Sequence, residues 1–247
     1  MFNIEIPVPS AQEAFGMLVG QVRALDWFIQ NNRPYRLEYY QKLNNQIINE
    51  MIKERNQEKE VFLNKYWEQF KSKLYKKSAY ADRISQIEQA ILNLQPCYER
   101  YEKLQKSWGF EILPKYSVDI NLYGIGGSYH KDKEGKGHII IGEQKSTDKL
   151  AFTLGHEILH LGIEDLIINP EHKKEPPIQQ EEKERIVDNL CIYTMQGILP
   201  LKRRWKDGSL SEYQEVASKA SYMDKVVGMQ PENNLVLAVQ QFLEKRR

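Results

Sequence analysis

The chain has 247 residues, and its 35 lysines and arginines against 34 aspartates and glutamates give a net charge of +1 at pH 7. This balance argues against recognition of a nucleic-acid backbone or an anionic membrane by overall charge, and the two cysteines, Cys97 and Cys191, exclude a disulfide framework. No apolar run approaches the about 20 residues of a membrane span, and residues 1–20 lack the pattern of a signal peptide, so we expect a cytoplasmic protein.

Residues 1–108 carry the apolar spacing of helices. An amphipathic segment covers residues 11–31, and residues 35–78 contain neither Gly nor Pro. A third segment covers residues 84–101, where Pro96 is expected to kink the helix. Because no heptad is sustained, these segments predict a helical hairpin or small bundle, which we treat as an N-terminal domain.

Two strands are predicted after this region. In residues 116–123, Val118, Ile120 and Leu122 alternate with polar residues, and residues 137–142 are a β-branched run bounded by Gly. The polar residues 131–136 between them read as a turn. The pattern therefore predicts a small antiparallel sheet.

A buried helix is predicted next. Ser146, Thr147 and Asp148 offer N-cap side chains immediately before residues 149–161. Apolar residues cover most of the helix circumference: Leu150, Ala151, Leu154, Ile158 and Leu161. Such a distribution is typical of a helix in the protein interior.

This helix carries the sequence His156-Glu157-Ile158-Leu159-His160. Residues four apart lie on one helix face, so both imidazoles can reach a single cation. Glu157, beside the first His, is then placed to polarise a metal-bound water molecule. Catalytic zinc sites keep three protein ligands and an open fourth position. The pattern therefore predicts a zinc site that needs a third ligand.

Several positions are unsuitable as the third ligand. A metzincin would need Gly and His where this chain has Ile163 and Leu166. His172 lies in the polar, Pro-containing residues 169–177, a loop composition that holds a ligand poorly. Glu164 lies a full turn beyond the second His, about 6 Å along the helix axis.

A second helix over residues 179–195 offers better candidates. Glu184 lies on its predicted inner face, one turn before Asp188, and this spacing suits a ligand followed by a carboxylate that orients a ligating His. The alternative is that the acidic start of the helix only complements the helix dipole, which explains Glu181 but not Asp188. We favour Glu184 as the ligand, with Glu181 as the second choice.

The remaining residues predict two more helices. Ser209-Leu210-Ser211-Glu212 has the capping-box pattern that opens a helix, here running toward Tyr222. An apolar helix is predicted over residues 235–243. Both helices are expected to pack beneath the part of residues 109–247 that carries the predicted zinc site.

The His-Glu-x-x-His pattern followed by Glu184-x-x-x-Asp188 resembles that of gluzincin-type zinc peptidases, in which a Glu on a second helix completes the site. Within that group the chain most resembles ImmA/IrrE-type peptidases. The residues of this chain that correspond to their second-helix pattern are Glu184, Val187, Asp188, Leu190 and Cys191. Ile198-Leu199-Pro200 corresponds to their Leu-Met-Pro-like ending. The resemblance implies that the strand before the active helix is a sheet edge that pairs with substrate, and that the substrate is one specific cellular protein, such as a repressor, selected by the N-terminal helices.

We therefore expect an α+β, predominantly helical protein, with a zincin-like metallopeptidase core in residues 109–247. The expected function is a zinc-dependent endopeptidase acting on a protein or peptide. The alternative is a regulatory or adaptor protein with a structural or degenerate metal site, or a latent enzyme occluded by residues 1–108.

The sequence does not select the group that polarises the substrate carbonyl. Five residues are candidates for this electrophilic role: His130, His138, Tyr193, Tyr213 and Tyr222. For the two histidines we favour an ordinary surface position.

Overall fold

Helices dominate the structure. It is a computed structural model that describes residues 1–30, 35–125, 127–143, 146–168, 180–195, 198, 202–204 and 210–212. The α-helices are α1 (Ala11–Arg23), α2 (Leu25–Gln30), α3 (Tyr35–Leu43), α4 (Gln46–Lys53), α5 (Lys59–Gln69), α6 (Ala81–Leu94), α7 (Tyr98–Trp108), α8 (Thr147–Ile168) and α9 (Gln180–Thr194). The strands are β1 (Ile4–Glu5), β2 (Tyr116–Ile125), β3 (Gly127–Lys131), β4 (Gly137–Glu143), β5 (Lys202–Arg204) and β6 (Leu210–Glu212). The predicted α+β class with a helical majority is confirmed.

The N-terminal helices begin and end where local chemistry requires. Ser10 caps α1 by accepting a hydrogen bond from the Glu13 amide at 3.2 Å, and the Glu13 carboxylate accepts one from the Ser10 amide at 2.7 Å. Between α6 and α7, a 3₁₀ turn spans Gln95–Cys97 and contains Pro96, so the predicted interruption there is confirmed. Gly109 ends α7 in the left-handed conformation at φ 71°, which Gly adopts without strain.

The sheet is mixed, with the strand order β1-β2-β4-β3. β1 and β4 each pair with β2 in parallel, whereas β3 pairs with β4 antiparallel. The prediction of an antiparallel sheet was therefore wrong. The polar turn at residues 131–136 joins β3 to β4 and not β2 to β4, so β2 and β4 run in the same direction. The sequence did not reveal β3 because only one of its five residues, Tyr129, has a large apolar side chain.

Helix α8 packs against both the sheet and the N-terminal helices. It contacts β3 and β4 of the sheet and α6 of the N-terminal helices. The Tyr101 hydroxyl of α7 donates a hydrogen bond to the Gly155 carbonyl of α8 at 3.1 Å, and Arg83 of α6 donates one to the Gly142 carbonyl of β4. At Gly162, an added Cβ would lie 2.1 Å from the Phe110 ring, so only Gly allows this approach. One apolar cluster includes buried residues from α1 to α9.

Residues 210–212 differ from the predicted helix. Leu210–Glu212 is a strand that pairs antiparallel with Lys202–Arg204, so the helix predicted to open at residues 209–212 was wrong over residues 210–212. Cross-strand pairing satisfies the backbone groups that a helix would have satisfied internally. The helices predicted toward Tyr222 and over residues 235–243 lie outside the described residues. Among the residues that are described, no helix combines the length and apolar character needed to cross a membrane.

Candidate metal centre

Helix α8 brings two imidazoles together. Its start is as predicted, with the Ser146 hydroxyl accepting a hydrogen bond from the Lys149 amide at 3.3 Å. One turn apart on one face, His156 and His160 are 6% and 1% exposed, and their Nε2 atoms are 3.1 Å apart. Two imidazole lone pairs at this distance repel each other unless a proton or a cation lies between them. The pair therefore has the arrangement of a cation-binding site.

Helix α9 adds a carboxylate to the two imidazoles. The Glu184 Oε2 atom is 3.4 Å from the His156 Nε2 atom and 3.2 Å from the His160 Nε2 atom. Bonds of 2.0–2.1 Å to a tetrahedral zinc ion place its ligand atoms about 3.3 Å apart. All three separations agree with this value. A buried set of two nitrogens and one oxygen can hold a metal ion, and its donor chemistry suits zinc.

The other predicted ligand candidates are placed differently. Glu164 is turned to two other groups, accepting a hydrogen bond from the Tyr129 hydroxyl at 2.9 Å and pairing with Lys183. The side chain of Glu181 and all of His172 lie outside the described part of the chain. Of the acidic residues considered, the structure brings Glu184 to the His pair.

The Nδ1 side of His156 faces a second group of α9 residues. The Asp188 Oδ1 atom is 3.8 Å from His156 Nδ1, which is beyond hydrogen-bond distance, whereas Cys191 Sγ is 3.5 Å away, within the range of a sulfur contact. Both side chains are buried. Asp188 therefore lies where the spacing predicted, but Cys191 is nearer. The i, i+4, i+7 spacing of Glu184, Asp188 and Cys191 on one helix face is the signal that could have revealed it.

Strand β3 covers the site from the sheet. The Tyr129 ring is stacked on the His160 ring, with centroids 4.9 Å apart and planes inclined by 10°. A Cβ at Gly127 would lie 2.5 Å from Glu157 Oε1 and 2.7 Å from the Thr153 methyl, so only Gly lets the backbone approach the carboxylate this closely. Neither residue was predicted as part of the site, because the amino-acid pattern of β3 did not indicate a strand.

The electrostatic environment of the site is rich in carboxylates. Burial raises the pKa of Tyr129 well above its usual range, and the neighbouring carboxylates of Glu164, Glu157 and Glu184 raise it further. The phenol therefore stays protonated and acts as a hydrogen-bond donor at any physiological pH. Glu157 and Glu184 are buried or nearly so, and a bound cation would balance their charge.

The histidines of the sheet lie away from this centre. Because side chains alternate along a strand, His130 faces the side opposite Tyr129. Its ring stacks on that of His138 at 4.6 Å, and His138 contacts Asp119 at 3.0 Å and Asp132 at 3.3 Å. Of the tyrosines proposed for the electrophilic role, Tyr193 is buried in α9, whereas Tyr213 and Tyr222 lie outside the described residues.

The strand that directly precedes α8 is not a sheet edge. This strand, β4, lies between β2 and β3, so the expectation that it pairs with substrate was wrong. β3 occupies the edge on the side of the metal centre. β4 is not an edge strand because β3 forms a hairpin with it and pairs with the side of β4 that would otherwise be free.

Neither a protein-family model nor a curated protein nor a solved structure matches the chain at a significant level.

Proposed function

We propose that this chain is a zinc-dependent endopeptidase of gluzincin type. The observation that carries the proposal is the largely buried set of donor atoms from His156, His160 and Glu184, mutually 3.1–3.4 Å apart. Three protein ligands are the number found in catalytic zinc sites, whereas structural sites use four. Zinc held there would supply a Lewis acid that polarises a peptide carbonyl and lowers the pKa of a water molecule.

Glu157 is the proposed catalytic base. Glu157 directly follows His156 on α8. In the proposed reaction it accepts a proton from the attacking water and then returns that proton to the leaving amine. Its side chain is 7% exposed and is covered by the backbone at Gly127. This enclosure restricts the positions that the carboxylate can adopt, which favours proton transfer over a short distance.

The free side of β3 is the proposed site of the peptide. Among the described strands, β3 pairs only with β4, so its outer edge offers backbone donors and acceptors to an extended chain. Tyr129 and Gly127 of the same strand contact the metal centre. A peptide added to this edge would therefore run past Glu157.

The resemblance to ImmA/IrrE-type peptidases supports a narrower proposal. The substrate would be one specific cytoplasmic protein, such as a repressor, and the helices of residues 1–108 would select it. The zincin-like core of this proposal is residues 109–247, in which β3, α8 and α9 carry the proposed site residues.

The decisive experiment compares Glu157→Gln with the unaltered protein. Hydrolysis of a denatured protein substrate should fall by about 10²–10⁴-fold because the proton acceptor is lost, while zinc content measured by elemental analysis should stay at one ion per chain. The matched control is Glu88→Gln, which makes the same change at an exposed position on α6 and should alter neither quantity.

Ligand variants complete this experiment. His160→Ala and Glu184→Ala should both lose zinc, because each removes one of three donors. If the unaltered protein held zinc but neither it nor Glu157→Gln hydrolysed any protein, the peptidase proposal would be wrong and the adaptor alternative would take its place.

A further inference from the structure

Three side chains outside the ligand set connect the elements that form the metal centre. Tyr129 comes from β3, Glu164 from α8 and Lys183 from α9. The Tyr129 hydroxyl donates a hydrogen bond to Glu164 Oε2 at 2.9 Å, and the Lys183 ammonium pairs with the same oxygen. The Lys183 Nζ atom also lies 5.1 Å from the centroid of the Tyr129 ring. Each member thus contacts both others, and we call the group the Tyr129 clamp.

The clamp contacts one proposed ligand, His160, and its members are close in the chain to the others. The Tyr129 ring stacks on His160, and Lys183 directly precedes Glu184 in the chain. Glu164 lies one helical turn after His160 on α8. Each member of the clamp is therefore related to a proposed ligand, Tyr129 by a ring contact and the other two by their positions in the chain.

We propose that the Tyr129 clamp positions His160 and Glu184 and thereby sets the metal affinity of the site. This inference rests on the proposed function, because it assumes that the three donors bind a metal. Tyr129, Glu164 and Lys183 are positioning residues in this proposal, since none of them belongs to the three-donor set.

The physical basis is the orientation of the imidazole. The Nε2 lone pair lies in the plane of the ring, so a ligating His must hold that plane toward the metal. Stacking with an inclination of only 10° fixes the plane of the His160 ring, and the hydrogen bond to Glu164 fixes the tyrosine in turn. Without the clamp, metal binding would have to order the ring, and this cost would weaken the affinity.

The charges of the clamp fit the same role. Lys183 is 10% exposed as a side chain, and it balances a carboxylate that lies close to other acidic groups. The pair also joins the end of α8 to the start of α9, which is where the Glu184 carboxylate must be directed. The Glu164 carboxylate thereby has two partners, Tyr129 and Lys183, and is not part of the three-donor set.

The test is a measurement of zinc affinity by competition with a chromophoric chelator. Tyr129→Leu removes both the stack and the hydrogen bond and should weaken the affinity by about ten- to a hundredfold, the usual effect of residues that support metal ligands. Tyr129→Phe keeps the ring and should have a smaller effect. The matched control is Tyr123→Leu, which removes a half-buried tyrosine of the same sheet whose hydroxyl bonds to the Leu74 carbonyl at 3.0 Å.

Two readouts separate positioning from general packing. Tyr123→Leu should leave the zinc affinity unchanged even if it lowers the unfolding temperature as much as Tyr129→Leu does. The visible spectrum of the cobalt-substituted protein should change with Tyr129→Leu and Tyr129→Phe, because it reports ligand geometry. Equal zinc affinities in all variants would contradict the proposed role of the clamp. Equal losses of zinc affinity in Tyr129→Leu and Tyr123→Leu would contradict it as well. If the role of the clamp is contradicted but the unaltered protein binds zinc and hydrolyses protein, the proposed function still holds. If the unaltered protein binds no metal, the proposed function itself is wrong.

Discussion

At the scale of single residues, the candidate metal centre includes close approaches that only certain side chains allow. Gly127 is the clearest case, because its backbone lies against Glu157 and Thr153. Gly127→Ala would force the Glu157 carboxylate to move, and a displacement of about 1 Å can lower turnover about a hundredfold. We expect that loss with zinc content unchanged, and a loss of stability of about 1–3 kcal/mol from overpacking, measured by hydrolysis, elemental analysis and urea unfolding. The same substitution at Gly16 of α1, where nothing lies within 4 Å, should not reduce activity. Full activity of Gly127→Ala would show that the carboxylate tolerates the shift.

At the scale of elements, β1 is held to the sheet partly by charge. The Glu5 carboxylate pairs with Lys115 at 2.5 Å and with Lys136, and these two bonds lower its pKa from 4.5 to about 2. Because the folded pKa is the lower one, the ion pairs contribute stability fully above about pH 4.5, and this contribution disappears as the pH falls toward 2. We expect Glu5→Gln to lower the urea midpoint at pH 7 and to lower it less at pH 3. The group is exposed, so added salt should also reduce the difference at pH 7. A difference independent of pH would assign the effect to packing.

The elements also show what the sequence could specify. Helices α8 and α9 were predictable because caps and an apolar face are local signals, and the residues of the metal centre lie at fixed spacings on them. The direction of β2 relative to β4 could not be predicted, because it depends on the presence of β3 between them in the chain. β3 itself has little apolar pattern. Tyr129 and Gly127 were missed for the same reason. The strand at Leu210–Glu212 shows the opposite error, in which a local capping pattern is overridden by pairing with Lys202–Arg204.

At the scale of the whole molecule, the N-terminal helices support the helices that carry the metal centre. Tyr101 of α7 binds the Gly155 carbonyl next to His156, and Arg100 binds the Tyr193 carbonyl of α9 at 3.1 Å. β1, from the start of the chain, forms one edge of the sheet. Residues 1–108 therefore supply part of the core that holds α8 and α9 in place.

A fragment that begins at Gly109 would test this supporting role of residues 1–108. Its loss of α6 and α7 would expose the buried side of α8, including the surroundings of Gly155, to water. We expect the fragment to show no cooperative thermal unfolding by circular dichroism and no stable zinc binding. Adding residues 1–108 as a separate chain should restore both, which controls for damage caused by the new terminus. A latent enzyme predicts the reverse, namely a folded fragment with higher hydrolytic activity than the full chain. Because the contacts of α7 reach the residue beside the first proposed ligand, support and not occlusion is the role that the packing favours for these helices.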